Sequence, residues 1–156
     1  MIIKKNKIKN ALEQLRKGNI IIYATDTIYG FGVDATNSSA ITKLNILKGR
    51  ESPLSIMIDN INSIKKYAFL NQKQKLTISK ILPGPFTVLL NARKTRLSKF
   101  VQQNSKKIGI RIPKNDFCLK LVSEHNNPII TTSVNKHGKK SINDINLIEK
   151  IFFDIN

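Results

Sequence analysis

The chain has 156 residues, of which 40% are hydrophobic, and its 27 Lys and Arg against 10 Asp and Glu give a formal net charge of +17. This length predicts a single domain, residues 1–156, and no apolar run reaches the roughly 18 residues that a membrane-spanning helix needs. The first residues lack a signal-peptide core, so we expect a cytoplasmic protein without a membrane partner. The single cysteine, Cys118, excludes an internal disulfide, and its apolar neighbours predict a buried structural thiol.

The positive charge has two explanations. A basic surface attracts phosphates on RNA, on nucleotides or on anionic lipids. Abundant Lys, Ile and Asn are also typical of an AT-rich genome, in which codon drift alone raises the lysine content. The net charge by itself is therefore weak support for an anionic ligand.

Apolar periodicity predicts helices and strands in uneven alternation. In the N-terminal part we expect helix 7–17, strand 19–24, a polar turn 25–33, a helix capped by Ser38 or Ser39 and ended by Gly49, and strand 54–58. Further along we expect helices 61–68 and 72–82, strands 86–90 and 107–112, helix 116–124 and strand 128–132. Segment 145–153 fits a helix, a strand or both. This order predicts an α/β domain with a mixed sheet.

Polar residues gather beside these strands, where open α/β sheets bind their ligands. Lys48 and Arg50 either complement the dipole at a helix C-terminus or converge on a polyphosphate. Arg111 interrupts an apolar strand, so either a carboxylate such as Asp26 or Asp34 or a ligand anion must neutralise it. The hydroxyls at 25–27 and 131–133 are equally typical of ordinary turns and of a small polar site.

Familiar nucleotide and hydrolase motifs are absent from the sequence. It has no Gly-x-x-x-x-Gly-Lys-[Ser/Thr] loop, no Gly-x-Gly-x-x-Gly fingerprint and no Gly-x-Ser-x-Gly elbow. His125 and His137 lie in polar segments without suitably spaced acidic residues, so we interpret them as surface residues rather than metal ligands. Any ATP would require a site of dispersed cations and hydroxyls.

Five motifs in register resemble those of the YrdC/Sua5 family over roughly residues 8–142. They are Ala24-Thr25-Asp26-Thr27-Ile28-Tyr29-Gly30-Phe31, Lys48-Gly49-Arg50, Pro83-Gly84-Pro85-Phe86-Thr87, Gly109-Ile110-Arg111-Ile112-Pro113 and Ser133-Val134-Asn135. Ala24 and Phe31 stand where the family has proline and leucine. The resemblance implies a YrdC-like α/β fold: a twisted, mainly mixed or antiparallel sheet flanked by helices, with a concave basic face. It also implies the short form without the additional Sua5 domain.

The resemblance further implies an L-threonylcarbamoyladenylate synthase, a nucleotidyltransferase that acts on L-threonine, bicarbonate or CO₂, and ATP. Its product would pass to a tRNA threonylcarbamoyl transferase complex that modifies adenosine 37 of tRNA, and the resemblance leaves a direct contact with tRNA open. Mg²⁺ would arrive with ATP, without a tightly bound protein metal. The alternatives are a related carbamoyl-adenylate former and a non-catalytic module of the same fold that binds tRNA or double-stranded RNA.

The resemblance assigns roles to eight residues. The catalytic residues are Lys48 and Arg50. The threonine-binding residues are Thr27, Tyr29, Ser133 and Arg111. The ATP-binding residues are Lys48, Arg50, Thr87, Ser133 and Asn135.

Overall fold

The computed structural model describes residues 1–3, 7–49 and 51–152. Within them, the strands are β1 (Ile21–Ala24), β2 (Tyr29–Asp34), β3 (Ser55–Met57), β4 (Val88–Asn91), β5 (Lys107–Arg111) and β6 (Ile129–Ser133). The α-helices are α1 (Ile8–Arg16), α2 (Ser38–Lys48), α3 (Gln72–Ile78), α4 (Lys99–Gln102), α5 (Asp116–His125) and α6 (Ile145–Phe152). A 3₁₀ helix occupies Ile61–Lys66.

The strands form one sheet in the order β1-β2-β6-β3-β5-β4. The pair β3 and β5 is parallel, and the other neighbouring pairs are antiparallel. Helices pack on both faces, so the prediction of a mixed α/β sheet flanked by helices is confirmed. The concave basic face stays a prediction.

Alternate residues of each strand point to opposite faces, and both faces are buried in the strands near β1. On one face Ile22, Phe31 and Ile130 join a core with residues of α2, α4 and α6. On the other face Ile21 and Tyr23 join residues of α1 and α5 in a second core. Burial on both faces explains why β1 reads as an unbroken apolar run, as predicted.

Strand β2 corrects the predicted turn at 25–33. Gly30 and Gly32 weaken the strand pattern because glycine has a low β propensity. In the fold, a Cβ on Gly32 would lie 2.7 Å from Cε1 of Tyr23, so only glycine leaves room for this buried ring. The glycines therefore belong to a strand that packs closely, and the true turn is shorter.

Several element boundaries also differ from the predictions. Asn37, rather than Ser38 or Ser39, caps α2 by accepting a hydrogen bond from the Ala40 amide, whereas Gly49 ends the helix at φ 67° as predicted. Predicted helix 72–82 ends at Ile78, because Ser79 and the following turn precede Pro83. The undecided last segment is helical as far as Phe152, and Phe153 lies outside the described residues.

His125 was wrongly interpreted as a surface residue. Helix α5 extends to His125, whose buried Nε2 lies 2.9 Å from Oδ2 of Asp34, and Asn127 donates to the same oxygen. His137 is exposed.

Cys118 is a buried free thiol, as predicted, and burial raises its pKa to about 12, with a smaller contribution from the Asp26 charge. No helix within the described ranges is long and apolar enough to cross a membrane.

Candidate functional site

One face of the sheet has a covered half and an open half. In the covered half, Ile21, Tyr23, Met57 and Ile129 lie beneath α1 and α5. The open half begins two residues away on the same strands, where small polar residues replace apolar ones. It comprises Gly30, Ser55, Gly109, Arg111, Thr131 and Ser133.

A cleft of about 160 Å³ lies over this open half. Most of its walls carry hydroxyl groups, and Arg111 is the cation among its lining residues. The cleft is lined by Thr25, Thr27, Ile28, Tyr29, Gly30, Ser55, Thr87, Arg111, Thr131, Thr132 and Ser133. This chemistry suits a small polar ligand that carries a negative group and a hydroxyl.

Gly109 makes room at this surface. A Cβ at Gly109 would collide with the Ser55 hydroxyl, and it would lie 3.3 Å from Cγ2 of Thr87. If residue 109 carried a side chain, Ser55 and Thr87 could not both keep their positions. The glycine of the Gly-Ile-Arg motif thus keeps Ser55 and Thr87 at the cleft.

Arg111 is held by the loop that follows β1. Its Nη2 donates to Oδ1 of Asp26 at 2.5 Å and to Oγ1 of Thr27 at 3.1 Å. The amide of Lys114 donates to the other Asp26 oxygen at 3.1 Å. Asp26, rather than Asp34, is therefore the carboxylate that pairs with Arg111. The Nε of Arg111 is buried and has no hydrogen-bond partner among the described residues, so the guanidinium retains donor capacity.

Thr25 shapes the loop that brings Asp26 and Thr27 to Arg111. Its hydroxyl donates to the Ile28 carbonyl at 2.7 Å and accepts from the Thr27 and Ile28 amides at 3.1 and 3.3 Å. These bonds close a tight turn directly after β1. The hydroxyl holds this turn although Ala24 stands where the family has proline.

Lys48 joins the end of α2 to the end of β6. Its Nζ donates to the Ser133 carbonyl at 2.6 Å, the Asn135 carbonyl at 3.0 Å and Oδ1 of Asn135 at 2.9 Å, and the residue is 2% exposed. Oδ1 of Asn135 also accepts from the Ser133 hydroxyl at 2.7 Å. Lys48 and the Ser-x-Asn motif, 85 residues away, therefore form one hydrogen-bonded unit.

The structure brings most of the predicted site residues to one region. Thr27, Tyr29, Thr87, Arg111 and Ser133 line the cleft. Lys48 and Asn135 are not among the lining residues but are bonded to Ser133 at its edge. Arg50 lies outside the described residues.

Ser55 lines the cleft but received no role from the sequence. The available signal was a polar residue inside an apolar strand, Leu54 to Ile58, which is the same irregularity that singled out Arg111. Thr25 and Thr131 also line the cleft, and they lie in hydroxyl clusters that the sequence had marked.

In the part of the chain that the structure describes, no group of three or more His, Cys, Asp or Glu is arranged to hold a metal ion.

An open mixed sheet with helices on both faces and a hydroxyl-lined cleft at one half of a face defines a YrdC-like α/β ligand-binding protein. The family model Sua5_yciO_yrdC, described as telomere recombination, matches residues 13–155, and the chain belongs to this family.

Similar proteins agree with this membership. The chain is 39% identical over 148 residues to a putative threonylcarbamoyl-AMP synthase of Methanocaldococcus jannaschii, covering 91% of this chain and 69% of the relative. It is 31% identical over 138 residues to the threonylcarbamoyl-AMP synthase of Bacillus subtilis, covering 86% and 40%. The crystal structure of P. abyssi Sua5 complexed with L-threonine superposes with a TM-score of 0.88 at 25% identity, covering 98% of this chain and 47% of that one. The chain thus spans about two thirds of the first relative and less than half of the other two.

Proposed function

We propose that the chain is an L-threonylcarbamoyladenylate synthase. The observation that carries the proposal is the hydroxyl-lined cleft with Arg111, on a fold that matches Sua5 complexed with L-threonine over 98% of this chain. The reaction condenses L-threonine, bicarbonate or CO₂, and ATP to threonylcarbamoyl-AMP and pyrophosphate. It takes place in the cytoplasm, and the product passes to a transferase complex that modifies adenosine 37 of tRNA.

The reaction requires positioning and charge neutralisation more than covalent catalysis. The amino nitrogen of threonine first takes up carbon dioxide, giving an N-carboxylate and releasing a proton. A carboxylate oxygen then attacks the α-phosphorus of ATP, and the bond to the β-phosphate oxygen breaks as pyrophosphate leaves. Several anions must meet within one site, so fixed cations and oriented donors supply most of the rate enhancement.

The threonine subsite consists of Thr27, Tyr29, Ser133 and Arg111. Arg111 binds the threonine carboxylate or a phosphate, because its guanidinium fork is oriented by Asp26 and retains a buried donor. The hydroxyls of Thr27 and Ser133 suit the hydroxyl group of the substrate.

The ATP subsite consists of Lys48, Arg50, Thr87, Ser133 and Asn135, with Lys48 and Arg50 as the catalytic cations. Lys48 places a positive charge directly behind Ser133 and fixes the turn that carries Asn135. A direct bond from Lys48 to a phosphate requires Nζ to exchange one of its protein oxygens for a phosphate oxygen. Mg²⁺ enters with ATP, because the phosphates supply the oxygen ligands that this ion prefers.

Pyrophosphate release tests the proposal. The protein is supplied with Mg²⁺-ATP, with and without bicarbonate and with and without L-threonine. We expect release only when all substrates are present. Release that is independent of threonine would indicate a different carbamoyl-adenylate former. No release under any condition, together with tight tRNA binding, would favour the non-catalytic RNA module.

Arg50→Ala tests the assignment of the catalytic cations. We expect threonine-dependent pyrophosphate release to fall by at least about 100-fold, because charge on the leaving pyrophosphate loses a bidentate partner. Lys43→Ala removes a charge from the exposed surface of α2 and serves as the matched control, with no change expected. An Arg50→Ala protein with the parent rate would remove Arg50 from the site.

A further inference from the structure

The hydroxyl groups around the cleft are not equally available to a ligand. Eight of the lining residues carry one: Thr25, Thr27, Tyr29, Ser55, Thr87, Thr131, Thr132 and Ser133. A hydroxyl that already bonds to protein groups has less capacity left for a substrate, because it has one donor and two acceptor positions. The partners of these hydroxyls therefore decide which of them remain available.

The two hydroxyls of the loop after β1 are engaged with the protein. The Thr25 hydroxyl bonds to the backbone of its own turn. Oγ1 of Thr27 accepts a hydrogen bond from Arg111 and lies 3.2 Å from Oγ1 of Thr25. These hydroxyls hold the loop, and only part of their bonding capacity remains for a ligand.

The two hydroxyls that β6 contributes to the floor of the cleft are engaged as well. The Ser133 hydroxyl donates to Oδ1 of Asn135 at 2.7 Å. The Thr131 side chain forms a hydrogen bond with the phenol of Tyr23, which is fully buried beneath the sheet. Both hydroxyls are therefore oriented by protein partners.

Tyr29 and Thr132 begin on the other face of the sheet. The Tyr29 side chain packs against the core on that face. Thr132 pairs with Phe31 of the same core, and it alternates along β6 with the floor residues Thr131 and Ser133. Neither side chain rises from the floor of the cleft.

Ser55 and Thr87 remain. Among the residues that the structure describes, neither of these two hydroxyls has a hydrogen-bond partner. Thr87 already has a proposed role at ATP, whereas Ser55 has none. Ser55 is thus the floor hydroxyl with its full bonding capacity and no assigned ligand.

Ser55 and Thr87 flank Gly109 from the two neighbouring strands. Ser55 pairs with Gly109 on β3, and Leu89, two residues after Thr87, pairs with it on β4. A Cβ at Gly109 would collide with Oγ of Ser55 and would lie 3.3 Å from Cγ2 of Thr87. The space left by the absent side chain, the Gly109 notch, therefore has a hydroxyl on one side and a methyl group on the other. Leu89, which is 62% exposed, adds apolar surface on the side of the methyl group.

The side chain of L-threonine has the complementary pair of groups. Its β-carbon carries one hydroxyl and one methyl group. Arg111 lies two residues after Gly109 on the same face of β5, roughly 7 Å along the strand, which suits a small amino acid whose carboxylate is bound by the guanidinium. A substrate hydroxyl can form up to three hydrogen bonds, so a bond with Ser55 adds to the contacts with Thr27 and Ser133.

We propose that Ser55 is a specificity-determining residue and that the Gly109 notch selects the side chain of L-threonine. The Ser55 hydroxyl bonds to the threonine hydroxyl, and the Thr87 methyl group packs with Leu89 against the threonine methyl group. An amino acid without the hydroxyl leaves Ser55 unpaired, and one without the methyl group leaves a gap beside Thr87. The inference rests on the proposed function, because it concerns the amino acid that the reaction consumes.

Two analogues of threonine test the two sides of the notch separately. L-2-aminobutyrate keeps the methyl group and lacks the hydroxyl, whereas L-serine keeps the hydroxyl and lacks the methyl group. Isothermal titration calorimetry measures the Kd of each amino acid and of L-threonine. We expect the parent protein to bind each analogue at least about 10-fold more weakly than threonine.

Two variants should each remove one of these preferences. In Ser55→Ala the preference for threonine over 2-aminobutyrate should fall to about 2-fold, because the hydrogen bond is lost, while the preference over serine is kept. Thr87→Ser keeps the hydroxyl and removes the methyl group, so it should reduce the preference over serine to about 2- to 3-fold and keep the preference over 2-aminobutyrate. Ser123→Ala, at an exposed position of α5, is the control and should show both parent preferences.

An unchanged preference over 2-aminobutyrate in Ser55→Ala would overturn the proposal, even if all three amino acids bound more weakly, because an equal loss indicates a structural role. A parent protein that binds threonine no better than 2-aminobutyrate would also overturn it.

Pyrophosphate release, measured in parallel, separates this inference from the proposed function. Selective threonine binding that Ser55→Ala removes, without pyrophosphate release by the parent, would contradict the proposed reaction and support the notch. Threonine-dependent release by the parent, with parent preferences in Ser55→Ala, would overturn the role of Ser55 and leave the reaction standing.

Discussion

The covered and open halves of one sheet face differ in role, although the same strands form both: the covered half packs in the core, and the open half lines the cleft. On β6, Ile129 is buried in the core beneath α1 and α5, whereas Thr131 and Ser133 point to the same face and line the cleft. On β3, Met57 is buried and Ser55 lines the cleft in the same way. The change from core to site takes two residues along a strand, which is one step of its side-chain period.

Stability and chemistry should therefore be separable along a single strand. The covered half supplies apolar burial, and the open half leaves its hydroxyls and Arg111 available. If the separation holds, substitutions in the covered half change the free energy of unfolding, and those in the open half change turnover.

Ile129→Ala should have the largest effect, and it should act on stability. Ile129 is fully buried in the second core. Its truncation should reduce the free energy of unfolding by about 2 to 5 kcal/mol, because the loss of apolar burial adds to the cost of a cavity. Urea unfolding measures the change. Turnover per folded molecule should remain at the parent value, and a tenfold fall in the fully folded variant would show that the two halves are coupled.

Arg111→Gln should have the next largest effect, and it should act on turnover. The substitution removes the cation of the cleft and leaves the Asp26 carboxylate without its ion pair. We expect threonine-dependent pyrophosphate release to fall about 100-fold, equivalent to about 2.7 kcal/mol.

Asp26→Asn is the companion variant for Arg111. It keeps the guanidinium but weakens the bond that orients it, so we expect a smaller loss of about 10-fold, chiefly as a higher KM for threonine. Parent turnover in Arg111→Gln would mean that Arg111 serves only the loop that carries Asp26.

The ionisation of Asp34 should make the stability of the fold depend on pH without changing turnover at the cleft. Burial alone would raise its pKa, but hydrogen bonds from His125, Thr36 and Asn127 outweigh burial and lower the pKa from 3.8 to about 2. The ionised group therefore stabilises the fold above pH of about 4, and this contribution is lost as the pH falls towards 2. The shift corresponds to stability on the order of 2 kcal/mol.

Asp34→Asn should remove this dependence on acid. Urea unfolding between about pH 1 and 5, roughly one unit beyond each of the two pKa values, should give a flatter stability profile than the parent. The variant should also be less stable than the parent at neutral pH. Glu149→Gln, at an exposed position of α6, is the control and should leave the parent profile unchanged. An unchanged slope in Asp34→Asn would mean that other carboxylates dominate the acid unfolding.

Local sequence signals predicted structures that depend on neighbouring residues better than contacts between distant parts of the chain. The unbroken apolar run of β1 and the αL glycine at Gly49 each specify a local structure, and both are found. Strand β2 was not predicted, because its glycines weaken the strand pattern. The reason for Gly32 is its close packing against the Tyr23 ring, which is a tertiary contact. The partner of Arg111 could not be chosen between Asp26 and Asp34, since the choice depends on the turn that Thr25 closes. The inward orientation of His125 likewise depends on its contact with Asp34, 91 residues away.

Ser133→Ala should have the smallest effect and tests the open half directly. Its hydroxyl donates to Oδ1 of Asn135, which also accepts from Lys48, so its loss loosens the Ser-x-Asn turn without opening a cavity. We expect turnover to fall about 10-fold, equivalent to about 1.4 kcal/mol, and the free energy of unfolding to change by less than about 1 kcal/mol. Ser79→Ala, which removes a hydroxyl at the end of α3, is the control.

Combining Ser133→Ala with Ile129→Ala then measures whether the halves communicate. The two residues lie four apart on β6, about 13 Å along the strand, and distant sites normally have additive effects. Additive losses of stability and of turnover would mean that the strand carries two independent functions. A double variant whose turnover falls well beyond the product of the single effects would mean that packing beneath α1 and α5 sets the geometry of the cleft.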